Sequence, residues 1–279
     1  MSIFSKKSVD KQKQHIKSDN ISEVKSMDDI VSLDDSTDSD KSGDEKEVLI
    51  KFVNVCKKYG EGDNLFYALK DANLTINKGE MVVILGPSGA GKSTLLNLLG
   101  GMDSASSGEI WFNGEDLTKY TDNQLTHYRA QNIGVVFQFY NLVPTLTAYE
   151  NVALMKDIKN DTMDPAEALS AVGLAQHMYQ FPSQMSGGEQ QRTSIARAIA
   201  KKPEILLCDE PTGALDTDTG KEVLKLLQKM SRDDKRTVVM VTHNSFFADI
   251  ADTVIRVKNG TISSVVHNDN PKDAQEVNW

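Results

Sequence analysis

The residues of this chain best suited to chemistry form a glycine-rich run between two apolar segments. Residues 81–85 are all apolar and predict a strand, and the leucine-rich residues 94–99 predict a helix. Glycines let successive backbone N–H groups turn toward a phosphate, and the start of the helix adds the positive end of its dipole. We therefore predict a phosphate-binding loop for a nucleotide rather than a plain turn. Its residues are Gly86, Pro87, Ser88, Gly89, Ala90, Gly91, Lys92, Ser93 and Thr94.

Two side chains of this loop have predicted roles of their own. Lys92 is expected to reach the β and γ phosphates of ATP. Ser93 is expected to offer its hydroxyl to Mg²⁺. A nucleotide with β and γ phosphates, together with Mg²⁺, is thus the ligand that the pattern indicates.

A pair of adjacent acids follows a second apolar run. Residues 205–208 predict a buried parallel strand, and Asp209 and Glu210 come directly after them. Ligands of open α/β sheets bind at the carboxyl edge of the strands, where these acids would lie. We expect Asp209 to hold Mg²⁺ through water and Glu210 to accept a proton from an attacking water. The alternative for two adjacent acids is a solvated turn.

With these residues the chain resembles the ATP-binding-cassette (ABC) ATPases, over about residues 47 to 266. A second glycine-rich turn, leading into a predicted helix, matches the signature of that family. The residues of this signature are Ser186, Gly187, Gly188 and Glu189, the last standing where glutamine is commonest. A serine hydroxyl and backbone amides at a helix start suit an anion.

The resemblance implies roles for four further residues. Tyr59 matches the aromatic that stacks on adenine, and Gln138 matches a ligand of Mg²⁺ and water. Asp216 belongs to a loop at the dimer interface, and His243 matches the histidine that contacts the γ-phosphate. Taken alone, Tyr59 would be a half-buried tyrosine at a strand end, Gln138 a surface cap and His243 a neutral capping group.

The resemblance also implies partners. ABC cassettes form a head-to-tail pair in which each signature closes on the γ-phosphate held by the other subunit, and a homodimer is expected here. Residues 98–103, 133–138 and 186–192 look like the macrolide-exporter and lipoprotein-release branch (MacB/LolD type). Residues 140–152 resemble the segment that receives a membrane permease, here one with an extracytoplasmic domain. The expected location is the cytoplasmic face of the cell membrane, peripheral through the permease.

The elements that must position these residues predict an α/β fold of the P-loop NTPase class. An ABC nucleotide-binding domain is expected over 47–266, with a RecA-like parallel-sheet core, an antiparallel β portion from Val48 to about Ile76, and a helical subdomain at about 147–197. A charged extension, residues 1–46, is poor in apolar residues and is predicted to be disordered. Residues 267–279 are expected to form a loose polar tail.

Composition limits the remaining possibilities. The net charge of −9 without a basic stripe argues against nucleic acid as the main partner. The leading hypothesis is an ATPase subunit that drives a separate permease in export or extraction. One alternative is a cell-division-type ATPase that signals through a non-transporting permease to an extracytoplasmic hydrolase. A soluble translation or repair ATPase would need a second cassette or a long coiled coil, and neither pattern appears.

Overall fold

The described part of the chain forms two β-sheets, and the strands of the two sheets differ in their pattern of burial. In the computed structural model, which describes residues 47–277, the ten described strands are β1 (Val48–Tyr59), β2 (Phe66–Asn77), β3 (Met81–Leu85), β4 (Ser107–Phe112), β5 (Glu115–Asp116), β6 (Ile133–Val136), β7 (Ile205–Asp209), β8 (Thr237–Thr242), β9 (Thr253–Lys258) and β10 (Thr261–His267). Strands β3 and β8 are buried along their whole length, as continuous apolar runs in a parallel sheet should be.

The larger sheet has six strands in the order β10-β9-β3-β8-β7-β6. All neighbours are parallel except β9 and β10, which form an antiparallel hairpin. Because β3, β7 and β8 run in the same direction, their carboxyl ends meet at one edge. The phosphate loop, the acid pair and the histidine all follow these three ends.

The smaller sheet is antiparallel, in the order β2-β1-β4-β5. The sequence predicted its first two strands, and β4 and β5 join them from beyond the phosphate loop. Alternating burial along β1 places Ile50 and Phe52 in the core, where they pack with Leu95 and Leu98 of the helix after the loop. The antiparallel sheet therefore lies directly against the element that carries the phosphate loop.

The described helices are α1 (Lys92–Leu99), α2 (Asp122–Asn132), α3 (Ala148–Ala153), α4 (Pro165–Ala171), α5 (Gly187–Ala200) and α6 (Thr217–Arg232). Helices α3, α4 and α5 pack on one another. Thr147 and Ser186 begin α3 and α5 with capping boxes, which satisfy the first free N–H groups. The predicted fold class, a parallel-sheet core with an antiparallel β portion and a helical portion, is confirmed.

The expectation of a loose tail was wrong for the residues that the structure describes. Ala274 and Val277 are buried in the core that contains α6. The buried side chain of Gln228 holds this segment: its Nε2 donates to the carbonyls of Lys272 (2.7 Å) and Ile250 (3.2 Å), and its Oε1 accepts from the Ala274 N–H (3.0 Å). Ala274 and Val277 are thus two buried apolar residues in an otherwise polar segment, and the buried amide of Gln228 on α6 holds that segment in place.

Residues 1–46 lie outside the described residues, and so does the disorder predicted for them. Within 47–277, none of the helices is both long enough and apolar enough to cross a membrane.

Replacing Gln228 tests the attachment of the tail. Gln228→Ala leaves one buried N–H group and two carbonyls without their partner, so we expect it to lower the free energy of unfolding by about 2–4 kcal/mol. Gln275→Ala, an exposed neighbour on the same segment, is the control and should change stability by less than about 0.5 kcal/mol. Urea denaturation measures both, and equal stability of the two variants would contradict this account.

Candidate nucleotide-binding and hydrolysis site

A cleft of about 680 Å³ opens at the carboxyl edge of the parallel strands. It collects side chains from the end of β1, the phosphate loop, the segment after β6, and the ends of β7 and β8. Most of the predicted site residues line it, namely Tyr59, Ser88, Gly89, Gly91, Lys92, Ser93, Thr94, Gln138, Asp209, Glu210 and His243. Gly86, Pro87 and Ala90 belong to the same loop without lining the cleft.

Lys92 is directed back onto its own loop. Its side chain is almost fully buried, and Nζ donates to the carbonyl oxygens of Gly86 (2.9 Å) and Pro87 (3.0 Å). Hydrogen bonds between an ammonium and a phosphate are stronger than those to neutral carbonyls. We therefore expect Lys92 to exchange the Gly86 and Pro87 carbonyls for the oxygens of a phosphate bound in the loop.

Two glycines of the loop allow close contact with neighbouring strands. A Cβ on Gly86 would overlap the Val257 carbonyl oxygen of β9, and a Cβ on Gly91 would overlap the Ala68 carbonyl oxygen of β2. Gly91 also has φ 104°, a conformation that side-chain-bearing residues rarely adopt. The loop needs glycine at both places for packing as well as for phosphate contact.

The acid pair and the histidine form the other wall. Burial, reinforced by the neighbouring Glu210 carboxylate and opposed by Lys92, raises the pKa of Asp209. Glu210 Oε1 lies 2.8 Å from His243 Nδ1. Because a carboxylate only accepts, the imidazole donates through Nδ1. Glu210 is 17% exposed and His243 72%, so the histidine is the member of the pair that faces solvent.

The backbone of Glu210 is in the left-handed region, with φ 49°. Its N–H donates to the Val241 carbonyl of β8 at 2.9 Å, which holds the turn against the neighbouring strand. Left-handed backbone at a residue other than glycine costs on the order of 1 kcal/mol and is concentrated at functional sites. The strain places the carboxylate beyond the strand end, in the cleft.

The donor set of the cleft suits Mg²⁺ together with a nucleotide triphosphate. Ser93 offers a hydroxyl, Gln138 an amide oxygen and Asp209 a carboxylate, and hard oxygen ligands are those that Mg²⁺ prefers. The phosphate loop adds backbone N–H groups and an ammonium for the phosphates. These residues fit the predicted metal and nucleotide.

Beyond the predicted residues, six others line the cleft, namely Phe66, Tyr67, Ala68, Val241, Asn259 and Gly260. Phe66 and Tyr67 begin β2, and Asn259 and Gly260 form the turn between β9 and β10. The ring centroids of Tyr59 and Phe66 are 5.8 Å apart. The adjacent aromatic residues Phe66 and Tyr67, soon after the turn at Gly60, are the sequence feature that could have indicated this part of the cleft.

The signature residues and Asp216 do not line the cleft. Ser186 is exposed at the start of α5, where its Oγ accepts from the Glu189 N–H (3.3 Å). The Glu189 carboxylate accepts from the Ser186 N–H (2.7 Å), which lowers its pKa. Asp216 caps α6 through the Thr219 N–H (3.0 Å). Within one chain, these groups stand outside the cleft, and the family resemblance assigns the signature to the phosphate loop of the other subunit.

A parallel sheet with a glycine-rich loop, a buried lysine and an acid pair at one edge defines a P-loop nucleotide-binding protein. Comparison with protein families narrows that class, because residues 69–213 match the family model described as ABC transporter. The chain belongs to the ATP-binding proteins of the ABC transporter family. It is an ATPase whose ligands are ATP and Mg²⁺.

The chain is similar to the ABC transporter ATP-binding protein MJ0796 of Methanocaldococcus jannaschii, with 44% identity over 77% of this chain and 95% of that protein. A solved dimeric, post-hydrolysis structure of MJ0796 bound to ADP and Pi matches with a TM-score of 0.72 and 40% identity, over 78% of this chain and 98% of that one.

Two other relatives differ more in length or in sequence. A putative ABC transporter ATP-binding protein of Mycoplasma pneumoniae is 41% identical over 84% of this chain, which spans only 51% of that relative's length. The structure of cbiO1 from Clostridium perfringens, part of the ABC transporter complex cbiONQ, has a TM-score of 0.72 and 27% identity, over 80% of this chain and 89% of that one.

Alanine substitutions in the loop separate packing from backbone strain. Gly89 and Gly91 both have positive φ, and a Cβ at Gly89 meets nothing within 4 Å. We expect Gly89→Ala to cost about 1–2 kcal/mol of stability and Gly91→Ala to cost about 1–3 kcal/mol more, because only the latter overlaps the Ala68 carbonyl. Urea denaturation measures the loss of stability of each variant, and calorimetry measures its ATP binding. Equal losses in both variants would rule out the proposed contact.

Proposed function

We propose that this protein is the ATP-hydrolysing subunit of an ABC transporter that dimerises on ATP and drives a separate transmembrane permease. The proposed cassette spans residues 47–266, with a helical subdomain at 147–197 and a polar tail at 267–279. Export or extraction of a substrate, as in the macrolide-exporter and lipoprotein-release branch, is the proposed direction of work.

In the proposed hydrolytic step, Glu210 accepts a proton from the attacking water. His243 orients Glu210 through its Nδ1–H, and with the ring protonated at both nitrogens its Nε2–H also donates to the γ-phosphate. Lys92 leaves the loop carbonyls for the β and γ phosphates, where it stabilises the charge that develops during transfer. Ser93, Gln138 and Asp209 would hold Mg²⁺, which when bound would neutralise charge on these phosphates.

One observation carries the proposal of a dimer: the phosphate loop and the signature are separate in a single chain. The cleft is lined by phosphate-loop residues and by the acid pair, whereas Ser186, Gly187 and Gly188 stand outside it at the start of α5. A helix start attracts an anion, and the cleft is the proposed site of the γ-phosphate. A second copy in head-to-tail orientation would satisfy both sites, and the dimeric state of the MJ0796 structures supports the proposal of a dimer.

The proposal of a permease rests on an exposed apolar surface beside α3. Phe139 is 76% exposed and Tyr179 74%, and Val143 and Phe181 are also exposed. Helix α3 and the segment that contains Tyr179 are in contact: the N–H of Tyr149 donates to the Met178 carbonyl at 2.7 Å, and the rings of Tyr149 and Tyr179 lie 6.1 Å apart. Exposed aromatic side chains are enriched at protein interfaces. The proposed partner is a permease with an extracytoplasmic domain, which would place the cassette at the cytoplasmic face of the membrane.

Glu210→Gln tests the role of the proposed base. General-base catalysis contributes on the order of 10²–10⁴ in rate, so we expect turnover to fall by at least about 100-fold while ATP still binds and the cassette dimerises. Steady-state hydrolysis, calorimetric ATP binding and gel filtration with ATP give the three readouts. Turnover within about threefold of the parent protein would reject Glu210 as the base, because the amide cannot accept the proton.

Affinity purification of the same variant from membranes, with ATP and Mg²⁺, tests the partner. We expect an integral membrane permease to be recovered, and replacing Phe139 and Tyr179 together by Ser should abolish its recovery without loss of ATP binding. A permease with a substrate path would support transport. A permease that only clamps an extracytoplasmic hydrolase would support the signalling function instead of transport. Recovery of soluble partners alone would overturn the transporter assignment.

A further inference from the structure

The phenol of Tyr59 is held by a carboxylate that the sequence did not single out. Tyr59 Oη donates to Asp103 Oδ2 at 2.6 Å. The other oxygen of Asp103 accepts from Lys57 Nζ (2.5 Å) and from the Ser104 N–H (2.7 Å). Burial acts against the charge, yet the hydrogen bonds from Lys57 and Tyr59 keep the pKa of Asp103 below its usual range. The carboxylate is therefore an ionised, well-partnered anchor for the tyrosine.

Lys57 also restricts which side of the tyrosine ring is available. Its Nζ lies 4.9 Å from the ring centroid, over one face, while the same ammonium is bound to Asp103 and to the Ser104 carbonyl (2.8 Å). A cation over an aromatic face is an attractive contact. Because the lysine covers one face of the ring, a flat base that stacks on Tyr59 would have to use the opposite face.

The position of Asp103 is set by the helix that carries the phosphate loop. The N–H groups of Met102 (2.8 Å) and Asp103 (3.3 Å) both donate to the Asn97 carbonyl near the end of α1. The other end of α1 carries Lys92, Ser93 and Thr94 of the phosphate loop. One rigid helix therefore fixes both the phosphate cradle and the tyrosine.

We propose that Asp103, together with Lys57, is a positioning residue for nucleotide binding: it orients the Tyr59 ring so that an adenine base can stack at a set distance from the phosphate loop. This inference rests on the proposed role of Tyr59 in stacking. Asp103 does not line the cleft and acts through the phenol of Tyr59. Asp103 therefore affects binding of the adenine base, and the hydrolytic groups at the other end of the cleft do not depend on it.

A double-mutant cycle of Asp103→Ala and Tyr59→Phe tests this mechanism by steady-state ATP hydrolysis. Tyr59→Phe keeps the ring and removes only the hydroxyl through which Asp103 acts. We expect each single variant to raise KM for ATP by about three- to tenfold with kcat within about twofold, since one charge-assisted hydrogen bond is lost. The double variant should show no further increase over Tyr59→Phe. Independent, multiplying effects on KM would overturn the proposal.

Inorganic tripolyphosphate, a competitor that has phosphates and no base, gives a second readout. Its inhibition constant should be the same for the parent protein and for Asp103→Ala, because the phosphate loop is untouched. A parallel loss of affinity for ATP and tripolyphosphate would show that Asp103 only supports the fold around α1, and would overturn the proposal.

Two variants keep the test valid if Asp103→Ala folds poorly. Asp103→Asn retains an acceptor for the phenol and should restore most of the affinity for ATP, and Lys57→Met removes the cation while keeping its stem. Asp116→Ala is the matched control: Asp116 is another partly buried aspartate with a lysine partner, Lys119, and it has no contact with Tyr59. It should lower stability while leaving KM unchanged.

Tyr59→Ala separates failure of this inference from failure of the proposed stacking. If Tyr59→Ala raises KM for ATP and Asp103→Ala does not, the positioning role is wrong and the stacking role remains. If Tyr59→Ala leaves KM unchanged, both are wrong, while the result for Glu210→Gln still decides the ATPase mechanism.

Discussion

The structure depends on how closely the backbone of the phosphate loop approaches the strands around it. Gly86 lies against the Val257 carbonyl of β9, and Gly91 lies against the Ala68 carbonyl of β2, with no space for a side chain at either place. The Gly260 N–H adds a hydrogen bond to the Ala90 carbonyl at 2.9 Å. The loop is thus held between the two sheets, and the strands that hold it also bound the cleft.

The order of strands in the larger sheet assembles the chemistry at that loop. β8 lies between β3 and β7, so the turn that carries Glu210 and the residue His243 follow adjacent strands although they are 33 residues apart in the chain. The hydrogen bond from the Glu210 N–H to the Val241 carbonyl links the two strand ends directly. A shift in this pairing would separate the proposed base from the histidine that orients it.

The same physical device, backbone N–H groups at the start of a helix, is used at α1 and at α5 with different results. At α1 it faces the cleft. At α5 the first turn is capped by Ser186 and Glu189 and stands away from the cleft, so the chain presents a phosphate site and an anion-attracting helix start that do not meet. This separation is why a second copy enters the proposed mechanism.

Local patterns in the sequence were sufficient for the strands at the centre of the parallel sheet, the phosphate loop and the acid pair. Continuous apolar runs at β3 and β7 predicted a parallel core, and the glycine spacing predicted a strand, a loop and a helix. These features depend on residues within a few positions of one another, where propensity and periodicity act. The same reasoning failed at the tail, since burial of Ala274 and Val277 depends on contact with α6, far away in the sequence.

What the sequence by itself determined is therefore the set of reacting groups and the elements that carry them. Only the tertiary structure decided which side chains surround them: β4 and β5 joining the antiparallel sheet, Phe66 and Asn259 lining the cleft, and Asp103 binding a tyrosine 44 residues earlier. Such contacts follow from the pairing of distant strands and from the close packing of the loop. Neither leaves a periodic trace in the chain, because the partners are brought together by the fold and not by their spacing.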